Sequence, residues 1–276
     1  MLYSIMKIIG DYHMHTRFSD GKDTVIEMTR AAKEKGLSEI AITDHVFGHF
    51  GAGVRRRNFE NLRGQVESAR GQMPVLLGLE SNLTSSDGRI DVDKEMRKDL
   101  DILLFGVHIR VLYSFGIFLT FLLPNLFWQV IHWTPKGRVR KNTKIIQRAI
   151  EKNDIDIWTH PNLYAKVDVV EVARTCVDRN TLIELNGKRI KFRPIDFERM
   201  LAVGAKFIIG SDAHSTKRIA DTERVEEFLK NCDYDENDII NLVQSYTEYR
   251  KPKKEPIFEI FGRDKKRNRK KENRKS

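Results

Sequence analysis

The sequence predicts an α/β fold, a TIM-like (β/α)7 barrel of parallel strands with its site at their C-terminal ends. Three observations predict it. Short runs rich in Ile, Val and Leu recur seven times; most are followed by a stretch whose apolar residues have helical spacing; and a histidine, acid or amide stands at or just past the end of each run. A chain of 276 residues suits one such domain.

Taken in order, the first strand is expected near residues 7–11, ahead of His13-Met14-His15. Thr24 and Glu27 then form a capping-box pattern, and Gly36 stands where that helix should stop. The second strand, near 39–43, leads into Asp44-His45, and the third, near 75–79, runs straight into Glu80. The fourth, near 102–107, ends at His108; the fifth, near 155–159, at His160; the sixth, near 181–185, at Asn186. Pro194 and Gly204 bracket a helix, and a seventh strand near 206–210 precedes Asp212-Ala213-His214. In a barrel of parallel strands these ends converge on one face, so residues 200 positions apart can meet.

Composition bounds the function. Cys176 and Cys232 lie far apart without metal-ligand spacing, which argues against a disulfide framework or a thiolate site and fits a reducing cytosol. The short apolar run before His13 is interrupted by Lys7 and does not read as a signal peptide, so the catalytic part is expected inside the cell. Residues 263–276 carry a net +7 of the formal +10. Residues 251–276 are therefore expected to be a basic, disordered tail, either simply solvated or attracted to an anionic membrane or nucleic acid. Residues 1–250 make up the expected domain.

Histidines and carboxylates gathered at strand ends hold transition metals, and grouped metals cleave phosphate esters. A lone H-x-H pair is weak evidence. Glu80, His108, His160, Asp212 and His214 at successive strand ends are stronger, because a structural explanation needs a separate reason for each. The number of nitrogen and oxygen ligands exceeds one four-coordinate site, and Glu80, placed too deep to bury unpaired, suits a bridge between cations.

These motifs resemble the PHP (polymerase and histidinol phosphatase) family of metal-dependent phosphoesterases. The matching residues are His13-x-His15-Thr16 with Ser19-Asp20-Gly21, Ile42-Thr43-Asp44-His45, Gly78-Leu79-Glu80 with Gly88-Arg89-Ile90-Asp91, Gly106-Val107-His108, Thr159-His160-Pro161, Glu184-Leu185-Asn186 and Gly210-Ser211-Asp212-Ala213-His214. The resemblance implies a distorted seven-stranded barrel with three metals. One would be held by His13, His15, Glu80 and Asp212; a second by Glu80, His108 and His160; a third by Asp20, His45 and His214. Where some relatives use a histidine one place after the aspartate, this chain has Gly21, which leaves Asp20 as the ligand. Asp44 is expected to orient a ligand or balance charge rather than bind metal. Zn, Mn and Fe all suit such donors, in two to three sites. A water held between two cations would attack phosphorus.

Basic residues near strand ends could grip a phosphate: Arg55, Arg56 and Arg57 after the second cluster, and Lys188, Arg189 and Arg193 after Asn186, itself a candidate substrate contact. His49 is expected on the surface.

The insertion at 109–135 departs from the pattern. Residues 111–133 contain no Asp, Glu, Lys or Arg, yet one crossing of a membrane would put His108 and His160 on opposite sides. Pro124-Asn125 should divide the run in two, giving an interfacial hairpin or re-entrant loop with basic flanks, both ends on the cytosolic face of an anionic membrane; the competing reading is a lid or oligomer interface. The preferred function is a phosphomonoesterase on a small phosphorylated metabolite, with histidinol phosphate one candidate. A phosphodiesterase or nuclease comes second, since the tail after Phe261 lacks aromatic residues to stack on bases. A non-catalytic metal-binding or membrane scaffold is third.

Overall fold

A computed structural model of the chain describes residues 6–46, 48–49, 53–109, 111 and 115–250. The chain divides into two units, Met1–Tyr246 and Thr247–Ser276. The first contains the barrel; of the second, only residues 247–250 are described, so the expected tail at 251–276 lies outside the described residues.

All seven expected strands form: β1 (Gly10–Asp11), β2 (Glu39–His45), β3 (Val75–Asn82), β4 (Ile102–Gly106), β5 (Ile157–Trp158), β6 (Leu182–Asn186) and β7 (Phe207–Gly210). They pair in chain order in one sheet, every pair parallel. Helices cover its outside: α1 (Val25–Glu34), α2 (Arg56–Arg70), α3 (Lys94–Lys98), α4 (Phe115–Ile117), α5 (Leu123–Val130), α6 (Lys136–Lys152), α7 (Val169–Asp178), α8 (Pro194–Ala202), α9 (Glu223–Leu229) and α10 (Ile240–Val243). A strand buried on both faces must be apolar throughout, and β4 (Ile102-Leu-Leu-Phe-Gly106) is buried at every position.

Local signals act where the sequence places them. Thr24 and Glu27 make the capping box of α1, and Gly36 takes φ 79° just past its end, a conformation costly for other residues. Pro194 opens α8.

The barrel is nearly closed, and the closure between β1 and β7 is unusual. Past the strand ends, Met14 bridges Ala213 in parallel; the His15 amide donates to the Ala213 carbonyl at 2.8 Å, and the Ala213 amide to that of His13 at 3.2 Å. Deeper down, a side chain fills the gap. Buried Asn241 donates through Nδ2 to the carbonyls of Gly10 and Ile209, both at 2.8 Å, and accepts the Ile209 amide at 2.9 Å. Buried backbone groups need partners, and Asn241 supplies them where no neighbouring strand does. The continuous closure on one side and stitching on the other make this a distorted barrel.

From Phe115 to Val130 the insertion is helical, and the expected break at Pro124-Asn125 does not occur. The chain winds through α4, a π turn at Phe118–Leu122 and α5, with Pro124 inside the first turn of α5. Proline has no N–H for the carbonyl of Thr120, and Arg138 of α6 supplies a donor at 2.8 Å. Among the described residues no helix is long and apolar enough to cross a membrane.

Candidate metal centre

The strand ends bring all nine expected ligand residues together. Glu80, at the end of β3 and 1 % exposed, stands in the middle. Its Oε2 faces His45 Nδ1 at 3.1 Å, His13 Nε2 at 3.3 Å and His15 Nε2 at 3.6 Å. Its Oε1 faces His160 Nε2 at 2.9 Å and His108 Nε2 at 3.3 Å. One carboxylate thus presents each oxygen to a different group of histidines. Asp212 Oδ1 lies 3.6 Å from His15 Nε2 and 3.4 Å from His214 Nδ1, and Asp20 Oδ1 lies 3.4 Å from His214 Nε2.

Three overlapping groups have donor atoms close enough to share an ion: His15, Asp20, His45 and His214; His13, His15 and Asp212; and His45, Glu80 and His108. The donor chemistry fits cations. His13 and His15 present Nε2 to Nε2 at 3.1 Å, as do His108 and His160, and the buried Nδ1 of His15 has no hydrogen-bond partner. Facing ring nitrogens are better satisfied by a shared cation than by each other.

A second layer fixes the ring orientations. Glu184 accepts from His13 Nδ1 at 2.6 Å, which turns Nε2 toward Glu80, and takes the His160 amide at 2.7 Å. Asn82 Oδ1 lies 2.5 Å from His108 Nδ1, and Thr159 Oγ1 donates to Glu80 at 2.8 Å. Buried Asp44 accepts from the Thr16 amide at 2.7 Å, the Thr16 hydroxyl at 2.6 Å and the Ser19 hydroxyl, which clamps the loop that carries Asp20.

Backbone geometry is tuned to the same end. His160 has φ 31° and Asp212 φ 53°, left-handed values that L side chains rarely adopt. A Cβ on Gly106 would stand 2.6 Å from His160 Cε1, so only glycine lets that ring approach β4.

Electrostatics follows from burial and charge. Burial pulls the pKa of His13 down, but the carboxylates of Glu184, Glu80 and Asp212 outweigh it and hold it well above the ordinary histidine value. Burial raises Glu80, yet His108 and His13 drive it well below the carboxylate range. His15 is lowered by burial and by His45 and His214. Burial likewise pushes His108 down to about 4, against the pull of Glu80. Asp20 is drawn to about 2 because His214 and His45 overcome its desolvation.

The centre opens into a cleft of about 330 Å³ lined by Asp20, Glu80, Ile109, Tyr164, Lys188 and Arg189 among others. Lys188 Nζ reaches Asp212 Oδ1 at 3.0 Å and His214 Nδ1 at 2.8 Å. Asn186 is 1 % exposed and does not line the cleft; it caps the amides of Lys188 and Arg189, each at 2.9 Å. Arg55 and Arg56 are not brought to the cleft: both are exposed at the start of α2, and Arg56 lies 3.5 Å from Asp93. Arg57 is exposed in the first turn of α2, and Arg193 is paired with Asp196 at 2.8 Å.

His49 corrects the surface expectation. It is 8 % exposed, stacked on His45 with ring centroids 4.3 Å apart, and lines the cleft. Burial, with His45 and His108, pushes it down to about 4. Glu184 and Asn82 were given no role from sequence. The signal for Glu184 was its charge inside the apolar run Leu182-Ile183-Glu184-Leu185; Asn82 had none.

Relatives agree with this geometry. The chain is 29 % identical over 241 residues to a probable phosphatase of Proteus mirabilis, covering 84 % of this chain and 89 % of that one. It is 28 % identical over 264 residues to a probable phosphatase of a Thermoanaerobacter species, covering 91 % and 98 %. Its fold resembles the histidinol phosphate phosphatase of Lactococcus lactis, solved with zinc, L-histidinol and phosphate: TM-score 0.54 at 16 % identity, over 82 % of this chain and 94 % of that one. Barrel, cleft and relatives define a metal-dependent phosphoesterase. Residues 11–263 match the PHP domain model, and the chain belongs to the PHP family.

Proposed function

We propose that the protein is a phosphomonoesterase for a small phosphorylated metabolite, with two to three divalent Zn, Mn or Fe ions in the cleft. The observation that carries this reading is Glu80, whose two oxygens face two separate groups of histidines. His13, His15, Glu80 and Asp212 would hold one cation; His108 and His160, with Glu80 shared, a second; Asp20, His45 and His214 a third. Bound there, the cations supply a nucleophilic water at neutral pH and neutralise the phosphoryl oxygens.

The chain's own residues do the rest. Glu184 and Asn82 hold the rings of His13 and His108 in one orientation, with Nε2 of each turned toward Glu80. Asp44 keeps Asp20 at the rim by ordering its loop. Lys188 and Arg189 place two cations on the cleft wall, where they can bind phosphate oxygens and orient the ester. A volume of about 330 Å³ suits a small metabolite better than a polymer backbone. The Lactococcus lactis phosphatase, captured with histidinol and phosphate, supports a small phosphomonoester without choosing which.

Metal-loaded protein should hydrolyse an aryl phosphate, and His15→Ala or Asp212→Ala should reduce the rate to that of metal-stripped protein. Unchanged turnover in both variants would overturn the site. A panel of sugar phosphates, histidinol phosphate, nucleotides and short oligonucleotides should show hydrolysis of monoesters only; faster cleavage of oligonucleotides would favour a nuclease.

A further inference from the structure

The helical insertion is amphipathic the wrong way round for a helix that faces water. Leu119, Leu123, Phe127 and Val130 fall at intervals of four, four and three, one stripe of a helix, and are 42 %, 47 %, 54 % and 79 % exposed. Two amide side chains between them point inward. Asn125 is 2 % exposed and exchanges hydrogen bonds with Asn142 of α6 at 2.7 and 3.2 Å. Gln129 donates to the carbonyl of Leu163 at 2.7 Å. Ile131 and Trp133, 47 % and 60 % exposed, extend the stripe beyond α5.

The segment that carries this face has charge of one sign. Residues 102–150 contain no Asp or Glu and seven Lys or Arg. On α6, Lys136, Arg140 and Lys144 recur every fourth residue, all exposed, and among the described residues none has an acidic partner within ion-pair distance. Uncovered aliphatic and aromatic groups followed in the chain by unopposed cations are the two components of binding to an anionic bilayer: hydrocarbon enters the interface, and cations meet lipid phosphates. A protein partner would need an apolar patch rimmed by acids, whereas a bilayer supplies both components at once.

We propose that the outward face of α4–α5, from Phe118 to Trp133, docks on an anionic lipid bilayer and lies along its surface without crossing it. This rests on exposure and charge and is independent of the phosphoesterase reading. Docking also places the cleft. Leu163, held by Gln129, lines the cleft together with Ile109, so its rim sits beside the docked helix.

The test is co-sedimentation of the full chain with phosphatidylcholine vesicles with and without phosphatidylglycerol, at low and high salt, with tryptophan quenching by bromine-labelled lipid. The proposal expects binding that needs phosphatidylglycerol, weakens with salt and quenches tryptophan. Phe127→Ser with Val130→Ser should abolish quenching and weaken binding at least about tenfold, while aryl phosphatase activity is retained as a control for folding. Binding without quenching, or equal to wild type in the double variant, would assign attachment to other basic residues and overturn the proposal. A stable dimer that ignores vesicles and is dissociated by the same double variant would overturn it in favour of a second copy as occupant.

Discussion

The cleft and the insertion handle polarity in opposite ways. Around Glu80 the fold buries histidines and carboxylates that water would solvate, whereas eight of the eleven large apolar side chains exposed among the described residues lie between Ile109 and Trp133. Neither arrangement is favourable for the barrel alone. Burying a charge costs several kcal/mol unless it is paired, and uncovered hydrocarbon forgoes roughly 25 cal/mol per Å². Each therefore points to something outside the polypeptide: cations in one case, an apolar surface in the other.

The sharpest way to break the cleft's half of this contrast is Glu80→Gln. The change preserves shape but removes the charge that both groups of histidines face. Metal content measured by elemental analysis should fall by at least one ion per chain, and phosphatase activity should drop to the metal-free level. Full metal occupancy with full activity would show that Glu80 is not the bridge.

Glu184→Gln should be milder. Glu184 acts through His13, accepting from Nδ1 at 2.6 Å, and loss of such a support costs on the order of 10–100-fold in metal affinity or activity. Added metal should restore much of the rate if the effect is one of positioning. A rate that stays low at saturating metal would mean that Glu184 takes part in the chemistry.

Proton release gives a third measure. Carboxylates hold His13 well above and His45 above the histidine value of 6.5, against the opposing pull of burial, so each keeps its proton to a higher pH than a free imidazole when no metal is bound. A metal must displace the proton that each ring carries below its raised pKa, so binding weakens as pH falls through that pKa, which lies above 6.5. Titrating stripped protein with zinc at pH 7 in weak buffer should release protons, with His13 the foremost source. No release, together with an affinity indifferent to pH between 6 and 8, would refute this charge state.

How much of the two regions could be read from sequence follows from the range of the interactions. The ligands were legible because each His, Asp or Glu stands at the end of its own apolar run, and strand direction alone sends them to one face. Asn241 was illegible: its partners, Gly10 and Ile209, lie 231 and 32 residues away, and nothing local marks it as the filler between β1 and β7. His49 looked like a surface residue because it stands in a glycine-rich stretch, Phe47-Gly48 before it and Phe50-Gly51 after it, yet its ring stacks on His45. In the insertion, composition showed an uncharged run but not its outward face, which depends on where α6 offers Asn142. The expected break at Pro124 failed because Arg138, fourteen residues on, satisfies the carbonyl that the proline leaves without a partner.

The smallest expected effect bears on how separable the two regions are. Asn125→Ala leaves the buried side chain of Asn142 without one partner and the carbonyl of Phe121 without another. Unsatisfied buried groups cost about 1–3 kcal/mol, which for a domain of this size lowers the melting temperature by roughly 2–4 °C per kcal/mol. Asn125 touches no residue of the metal centre, so turnover of a soluble aryl phosphate at low temperature should be unchanged while thermal melting shifts. A fall in turnover at constant metal content would instead show that α5, through Gln129 and Leu163, sets the shape of the cleft, and that what covers the apolar face also governs what enters the site.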